Sequence, residues 1–467
     1  MKAVSFYVIS LLIFAIGFFV IVKFGRELPV KAVAFAENNV SNSASLDLPP
    51  GNDIYLQLLR NIRQPLSILL LQMLSIIVVS RLFGYLLQRI NQPSVIGEII
   101  AGIVLGPSLM GWVFPEVSNF LFSPESIKSL QFISQIGLVF FMFTIGMELD
   151  FKLLKGRAAD AVVVSHASII LPFFLGMLLS FFIYTDFAPA GVKFLPFSLF
   201  MGIAMSITAF PVLARIIKER NLSGTPLGTL AITCAAADDV TAWCVLALVV
   251  AIAQAGTISS AVITISLSVV FVMLMFFVVR PFLLRIRETK TERHSIVIAF
   301  LVLLISAYCT EIIGIHALFG AFIAGIIMPD LDGLKLQLTE KIEDVSLIVL
   351  MPVFFACTGL NTQIGLLNTR YMWVIFGFIL LVAVLGKFVG SAVAAKWMGQ
   401  STKDSLSVGA LMNTRGLMQL IVLNIGYSLG ILTPEVFAMM ILMALVTTLM
   451  TSPFLDFVNW MEKRKIL

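Results

Sequence analysis

From Pro65 onward the chain is a succession of apolar runs, each about 20 to 28 residues long, separated by short polar breaks. At about 1.5 Å of rise per residue, runs of that length match a hydrocarbon layer about 30 Å thick. The two-residue alternation of a membrane barrel is missing, so the pattern predicts an all-α membrane protein. Thirteen spans are predicted: Pro65 to Ile90, Ser94 to Val113, Ser126 to Met147, Ala159 to Tyr184, Lys193 to Lys218, Thr225 to Ala253, Thr257 to Leu284, His294 to Ile312, Ile315 to Met328, Lys341 to Leu360, Tyr371 to Trp397, Lys403 to Tyr427 and Pro434 to Val458. Ile315 to Met328 is short, as a half-helix or a span completed by its neighbours would be. Ahead of these lies another apolar run, Val4 to Val22, followed by Lys23, Arg26 and Lys31 and a polar linker, Glu37 to Asp53. Ala34-Phe35-Ala36 resembles a signal-peptidase site, but the length of the run and the intervening cations favour an uncleaved anchor helix.

The cations alternate from loop to loop. One set of breaks carries Arg89, Lys152, Lys155, Arg157, Lys218, Arg220, Arg285, Arg287, Lys290, Arg293, Lys335, Lys341, Lys396, Lys403, Lys463, Arg464 and Lys465, whereas the other carries only Arg60, Arg63, Lys128, Lys193 and Arg370. Cytoplasmic loops retain Lys and Arg, so the C-terminus is expected in the cytoplasm, with a bacterial inner membrane as the expected location. Thirteen spans divide into six, a connector and six, and an odd connector inverts the second half relative to the first. The expected organisation is residues 1–64 as anchor and linker, 65–254 as a first inverted repeat, 255–293 as connector helix and loop, and 294–467 as a second repeat. Each half holds a helix-breaking cluster within a span, Thr208-Ala209-Phe210-Pro211 and Asn413-Thr414-Arg415-Gly416, where main-chain groups are freed to bind an ion.

Composition narrows the function. The 467 residues are 59% hydrophobic and 12% charged, with a mean hydropathy of +1.03, far more apolar surface than one soluble core buries. The bilayer is the expected solvent. A net charge of +5 is explained by topology, since the cations form no patch interleaved with aromatics and nucleic acid is not an expected partner. Cys234, Cys244, Cys309 and Cys357 fall inside apolar runs without metal-ligand spacing. No nucleophile and base pair or phosphate loop is visible, so neither an enzyme nor a cofactor is expected.

The chemistry lies at mid-depth. Counted from the cytoplasmic ends of their spans, Asp238 lies roughly 20 Å in, and Thr208, Lys387 and Asn413 roughly 15 to 16 Å in. Charges there are costly, which makes them functional candidates with partners expected. Asp238 and Asp239 are adjacent, hence about 100° apart on a helix, and cannot face the same atom. One can pair with Lys387 while the other faces a cavity where a sodium- or potassium-sized cation competes with a proton. Arg415 either neutralises exposed carbonyls or binds Asp238 in place of Lys387. Glu98 either lines an ion path or is a helix-end acid, and His316, at the start of the short span, and His166 are read as structural unless they sense pH. Arg81 is read as a snorkelling residue.

The segments PSVIGEIIAGIVLGPSLMG from Pro93, ITAFPVLARIIKE from Ile207, AAADDVTAWCVLAL from Ala235, GIHALFGAFIAGIIMP from Gly314, MPVFFACTGL from Met351, GKFVGS from Gly386 and NTRGLMQLIVLNIG from Asn413 together resemble the monovalent cation:proton antiporter family that includes the glutathione-gated potassium efflux systems and plant cation/proton exchangers. The resemblance covers roughly Pro65 to Val458. It implies thirteen helices, two crossed broken helices, a homodimer and an elevator-like movement of a core domain. By motif position it implies that Asp239 is the ion- and proton-binding carboxylate, Asp238 the partner of Lys387, and Thr208 a contributor from the crossing, with Pro211, Asn413, Thr414 and Arg415 supporting. Family members often carry an acid where this chain has Gln419, and no nucleotide-binding regulatory domain follows within these residues, so gating by glutathione or nucleotide is not expected. The expected function is exchange of Na+ or K+ for protons at Asp239. The alternatives are a sodium-coupled organic-anion symporter, which the paired acids disfavour, and a passive cation channel, for which no filter segment is visible.

Overall fold

A computed structural model describes residues 61–464 except 91, 93, 149–157, 221, 223–224, 255–257, 287–291 and 330–333. The anchor helix and most of the linker expected before residue 65 lie outside these residues, as do Lys152, Lys155 and Arg157. All regular structure among the described residues is helical, as hydrocarbon demands, because a helix satisfies its own backbone donors and acceptors. Among the described residues ten helices are long and apolar enough to cross a membrane, and three shorter apolar helices, Phe194–Ser206, Ala317–Ile327 and Met418–Ser428, accompany them. The protein is a multi-pass integral membrane protein.

Burial separates peripheral from central helices. Of the most apolar 18-residue stretch of each helix, only 11% is buried in Val262–Arg285 and 17% in Pro65–Arg89, against 67% in Pro434–Lys463. Leu70, Leu74, Phe277 and Val278 therefore stand on outward faces, where lipid replaces the core as apolar solvent. Met439, Met440 and Met443 are fully buried in the last long helix.

Two pairs of helices meet at interruptions. Phe194–Ser206 stops, residues 207–209 are non-helical, and Phe210–Glu219 follows with Pro211 in its first turn, where a missing N–H breaks no helical bond. Thr402–Met412 ends at Asn413, and Leu417–Ser428 begins after Gly416. The Ala209 N–H donates to Thr414 O at 3.1 Å, so the two interruptions satisfy each other's main chain. Further polar closure comes from the Pro434–Lys463 helix, whose Thr448 hydroxyl bonds both the N–H and the C=O of Arg415 at 3.2 and 2.5 Å.

The helix running from Arg370 to Trp397 carries a π turn over Leu385–Val389, centred on Lys387. Such turns cluster at functional sites because they re-aim side chains without ending the helix. Beside it, Gly386 packs on Pro172 of the Ala158–Phe187 helix, where a Cβ would sit 2.8 Å from Pro172 Cα. Glycine thus lets the Lys387 backbone approach the helix that carries Ser165 and Ser168.

Candidate functional site

Asp238 and Asp239 lie near the middle of the Pro226–Gln254 helix and are 1% and 2% exposed. Their surroundings differ completely. Asp238 accepts hydrogen bonds from Ser165 Oγ at 2.8 Å, from Ser168 Oγ at 2.8 Å and from Thr208 Oγ1 at 2.5 Å. Lys387 Nζ donates to Asp238 Oδ2 at 2.9 Å, to Thr208 Oγ1 at 2.6 Å and to Ser168 Oγ at 3.4 Å. All three ammonium protons thus have acceptors, and the carboxylate is ringed by donors from two other helices and the break at Thr208. A buried ion pair is tolerable when the remaining lone pairs and protons are satisfied, as they are here.

Asp239 Oδ1 is buried without a hydrogen-bond partner among the described residues. Asp239 borders a small space of about 10 Å³, enough for a single water-sized occupant, walled by Ile207, Trp243, Leu246, Met418 and Val422. An unpartnered carboxylate oxygen inside a low-dielectric wall is unstable by itself and is relieved by a proton or by a cation. Helix geometry explains the contrast, because adjacent residues project about 100° apart and only one can point at Lys387.

Arg415 is fully buried and does not bind Asp238. Its guanidinium donates to Ala204 O at 3.1 Å, Met205 O at 2.7 Å, Ala383 O at 3.4 Å and Gln419 Oε1 at 3.2 Å. Of the two roles open to it from the sequence, it takes neutralisation of carbonyls. The first two belong to the last turn of Phe194–Ser206, where orphan carbonyls and the negative helix end favour a cation. Asn413 is fully buried with neither side-chain amide atom paired among the described residues, and Thr414 Oγ1 reaches Thr451 Oγ1 at 3.3 Å.

The other singled-out residues lie elsewhere. Glu98 is half-buried in the Ser94–Leu105 helix and does not line the space at Asp239. His316 sits at the N-cap of Ala317–Ile327 with φ 76°, Nδ1 accepting from Leu318 N at 3.4 Å, and lines a separate polar cavity. His166 bonds within its own helix to Val162 O at 2.7 Å, and Arg81 is exposed. The sequence reading did not find Ser165 and Ser168. Their signal was there: two hydroxyls three residues apart on one face of an otherwise apolar helix.

The chain as a whole resembles known proteins. Residues 74–457 match the family described as "Sodium/hydrogen exchanger, transmembrane". The chain belongs to this family. It is 42% identical over 394 residues to the Na(+)/H(+) antiporter NhaS4 of Synechocystis sp., covering 83% of this chain and 96% of that one. It is 39% identical over 394 residues to cation/H(+) antiporter 17 of Arabidopsis thaliana, covering 83% and 48%, and 32% identical over 411 residues to K(+)/H(+) antiporter 1 of Saccharomyces cerevisiae, covering 85% and 47%. The chain therefore spans about half the length of these plant and yeast relatives. The solved structure of the sodium proton antiporter MjNhaP1 from Methanocaldococcus jannaschii matches with a TM-score of 0.60 at 16% identity over 85% of this chain and 97% of that one, a likeness of fold. These relatives are transporters, in keeping with a non-enzymatic chain.

Proposed function

We propose that the protein exchanges a monovalent cation, Na+ or K+, for protons, and that both compete for Asp239. The observation that carries the reading is the asymmetry of the pair: Asp238 is saturated by Ser165, Ser168, Thr208 and Lys387, whereas Asp239 Oδ1 is buried and unpartnered beside a space of about 10 Å³. One carboxylate is architecture and the other is the group that binds a ligand. A space that size suits a bare cation or a water molecule and not an organic anion, which speaks against the symporter. Thr208, placed by resemblance with the ion site, is read instead as part of the Asp238 cage.

The ten long helices, with three crossings built on the shorter ones, make thirteen spans in this reading, and the Ala209 to Thr414 contact is where two broken helices cross. The rigid Asp238–Lys387 cage would travel with Asp239 in an elevator-like movement, carrying the occupied carboxylate from one side to the other. A homodimer, a cytoplasmic C-terminus and residence in a bacterial inner membrane complete the proposal. The test is ion flux in proteoliposomes loaded with a pH-sensitive dye, with sodium, potassium and lithium offered in turn. Cation-driven alkalinisation or acidification of the lumen is expected; a cation leak with no proton movement would indicate a channel and overturn the proposal.

A further inference from the structure

A second cavity, of about 280 Å³, lies apart from the two aspartates and is lined by uncharged oxygen-bearing side chains, among them Gln131, Gln135, Asn361, Asn424 and Ser428, together with His316. Two helices fix its position relative to Asp239. Along Leu417–Ser428, Ser428, Asn424 and Ile421 line this cavity, whereas Met418 and Val422 wall the Asp239 space. The six residues from Asn424 to Met418 span about 9 Å. Along Pro226–Gln254, Gln254 lies about 22 Å beyond Asp239, and its side chain stands beside Gly314, two residues from His316. The cavity is therefore on the Gln254 side of Asp239, and the exposed Gln135 and Ser428 mark its open end.

Asn424 is oriented like a ligand. Its Nδ2 donates to Leu420 O at 2.8 Å and to Thr358 Oγ1 at 2.8 Å, while Thr358 Oγ1 donates onward to Phe354 O at 3.0 Å. A main-chain carbonyl only accepts, so the amide cannot be reversed, and both amide hydrogens are committed. That leaves Oδ1 as the acceptor of a side chain that lines the cavity. Between it and Asp239 the lining turns apolar: Leu318, Phe354 and Ile421 on one side, Met418, Val422 and Trp243 on the other, with the Trp243 and Phe322 rings 5.8 Å apart.

We propose that this cavity is a desolvation site, where a monovalent cation exchanges part of its water shell for the neutral oxygens of Asn424, Gln135 and their neighbours, and that Ile421 and Met418 close the apolar step between it and Asp239. Neutral oxygens suit this task, since they hold a partly hydrated cation without the strong binding that would trap it. The inference rests on Asp239 being the exchange site, but its test does not use exchange. The full chain, with Cys234, Cys244, Cys309 and Cys357 replaced by serine, is reconstituted carrying either Ser428→Cys or Met418→Cys and treated with a cationic, membrane-impermeant methanethiosulfonate reagent. Labelling is read by mass. Ser428→Cys is expected to react, at least threefold more slowly in sodium or potassium than in choline at equal ionic strength, and Met418→Cys at least tenfold more slowly than Ser428→Cys. The protection should persist with Asp239→Asn and disappear with Asn424→Leu; Gln135→Leu, at an exposed position, serves where Asn424→Leu does not fold. Equal labelling in choline, protection that survives both leucine variants, protection lost with Asp239→Asn, or rapid labelling of Met418→Cys would each overturn the proposal. Loss of exchange in Asp239→Asn with no cation protection here would sink this inference alone.

Discussion

Lys387 Nζ lies 2.9 Å from Asp238 Oδ2, and neither side chain is open to solvent, at 0% and 1% exposure. A pair so placed is held by its neighbours as much as by its own attraction, because removing two charges from water costs several kcal/mol per ion before geometry repays it. The two residues come from helices that also supply Gly386 and Asp239, so the ion pair ties the π turn to the helix that presents the free carboxylate.

The first prediction concerns stability. Lys387→Gln leaves Asp238 as an uncompensated buried charge and should destabilise the protein by about 3–5 kcal/mol. Ser165, Ser168 and Thr208 remain as donors, so the variant is expected to fold at low temperature. Adding Asp238→Asn removes the stranded charge and should restore much of the loss. Thermal unfolding in detergent across the four members of this cycle checks it. Equal stability of Lys387→Gln and the parent would show that the pair is not what holds these helices. In transport, Lys387→Gln should alter the pH profile or the charge moved per cycle while cation binding persists.

Asp239 should behave in the opposite way. Asp239→Asn keeps the shape of the side chain and removes no described hydrogen bond at Oδ1, so the unfolding temperature should stay close to that of the parent. Cation-driven proton movement should nevertheless vanish, because the group that both substrates need can no longer gain or lose a proton. Normal exchange by the purified variant would move the site elsewhere.

Much of this site was legible from residue type and depth. Two acids and a lysine near mid-span in apolar runs cannot be bland, and adjacency alone dictates that Asp238 and Asp239 differ. The clusters around Pro211 and Gly416 marked where helices stop, since a proline without an N–H and a glycine without a Cβ act on the chain locally. What was hidden depends on tertiary approach. The π turn at Lys387 leaves no clear mark in composition, and Ser165 and Ser168 gain meaning only when Gly386 brings a second helix against Pro172. Arg415 illustrates the same limit: its sequence position at a break allowed two partners, and only the fold puts the carbonyls of Ala204 and Met205 within reach while withholding Asp238.

That placement yields a third prediction. Arg415→Met strands the two helix-end carbonyls, of Ala204 and Met205, that the guanidinium now serves, each worth about 1–3 kcal/mol when left unpaired. A loss of roughly 2–6 kcal/mol is therefore expected, with Arg415→Lys intermediate because an ammonium keeps the charge at the helix end but lacks the planar fork. Chemical or thermal denaturation of the two variants side by side measures it. If lysine were as damaging as methionine, geometry alone and not charge would be the reason for arginine there.

Competition at Asp239 makes a quantitative demand. If proton and cation cannot occupy the carboxylate together, acidification must weaken apparent cation affinity by up to about tenfold per pH unit, equivalent to about 1.4 kcal/mol. The sign follows from mass action: below the apparent proton-binding midpoint most sites are protonated and the cation must displace a proton, so the apparent Michaelis constant falls as pH rises, then levels off once the site is empty of protons. Maximal rate at saturating cation should change far less over the alkaline part of this range. The measurement is apparent affinity across pH in proteoliposomes with the membrane potential clamped. Clamping at several potentials separates stoichiometries, because two protons per cation moves net charge and one for one does not. The Asp238–Lys387 pair favours the first, since a second ionisable site adjacent in sequence to Asp239 gives a second proton somewhere to reside. An affinity independent of pH, with only the maximal rate responding, would defeat the shared-site mechanism even for a protein that exchanges cations for protons.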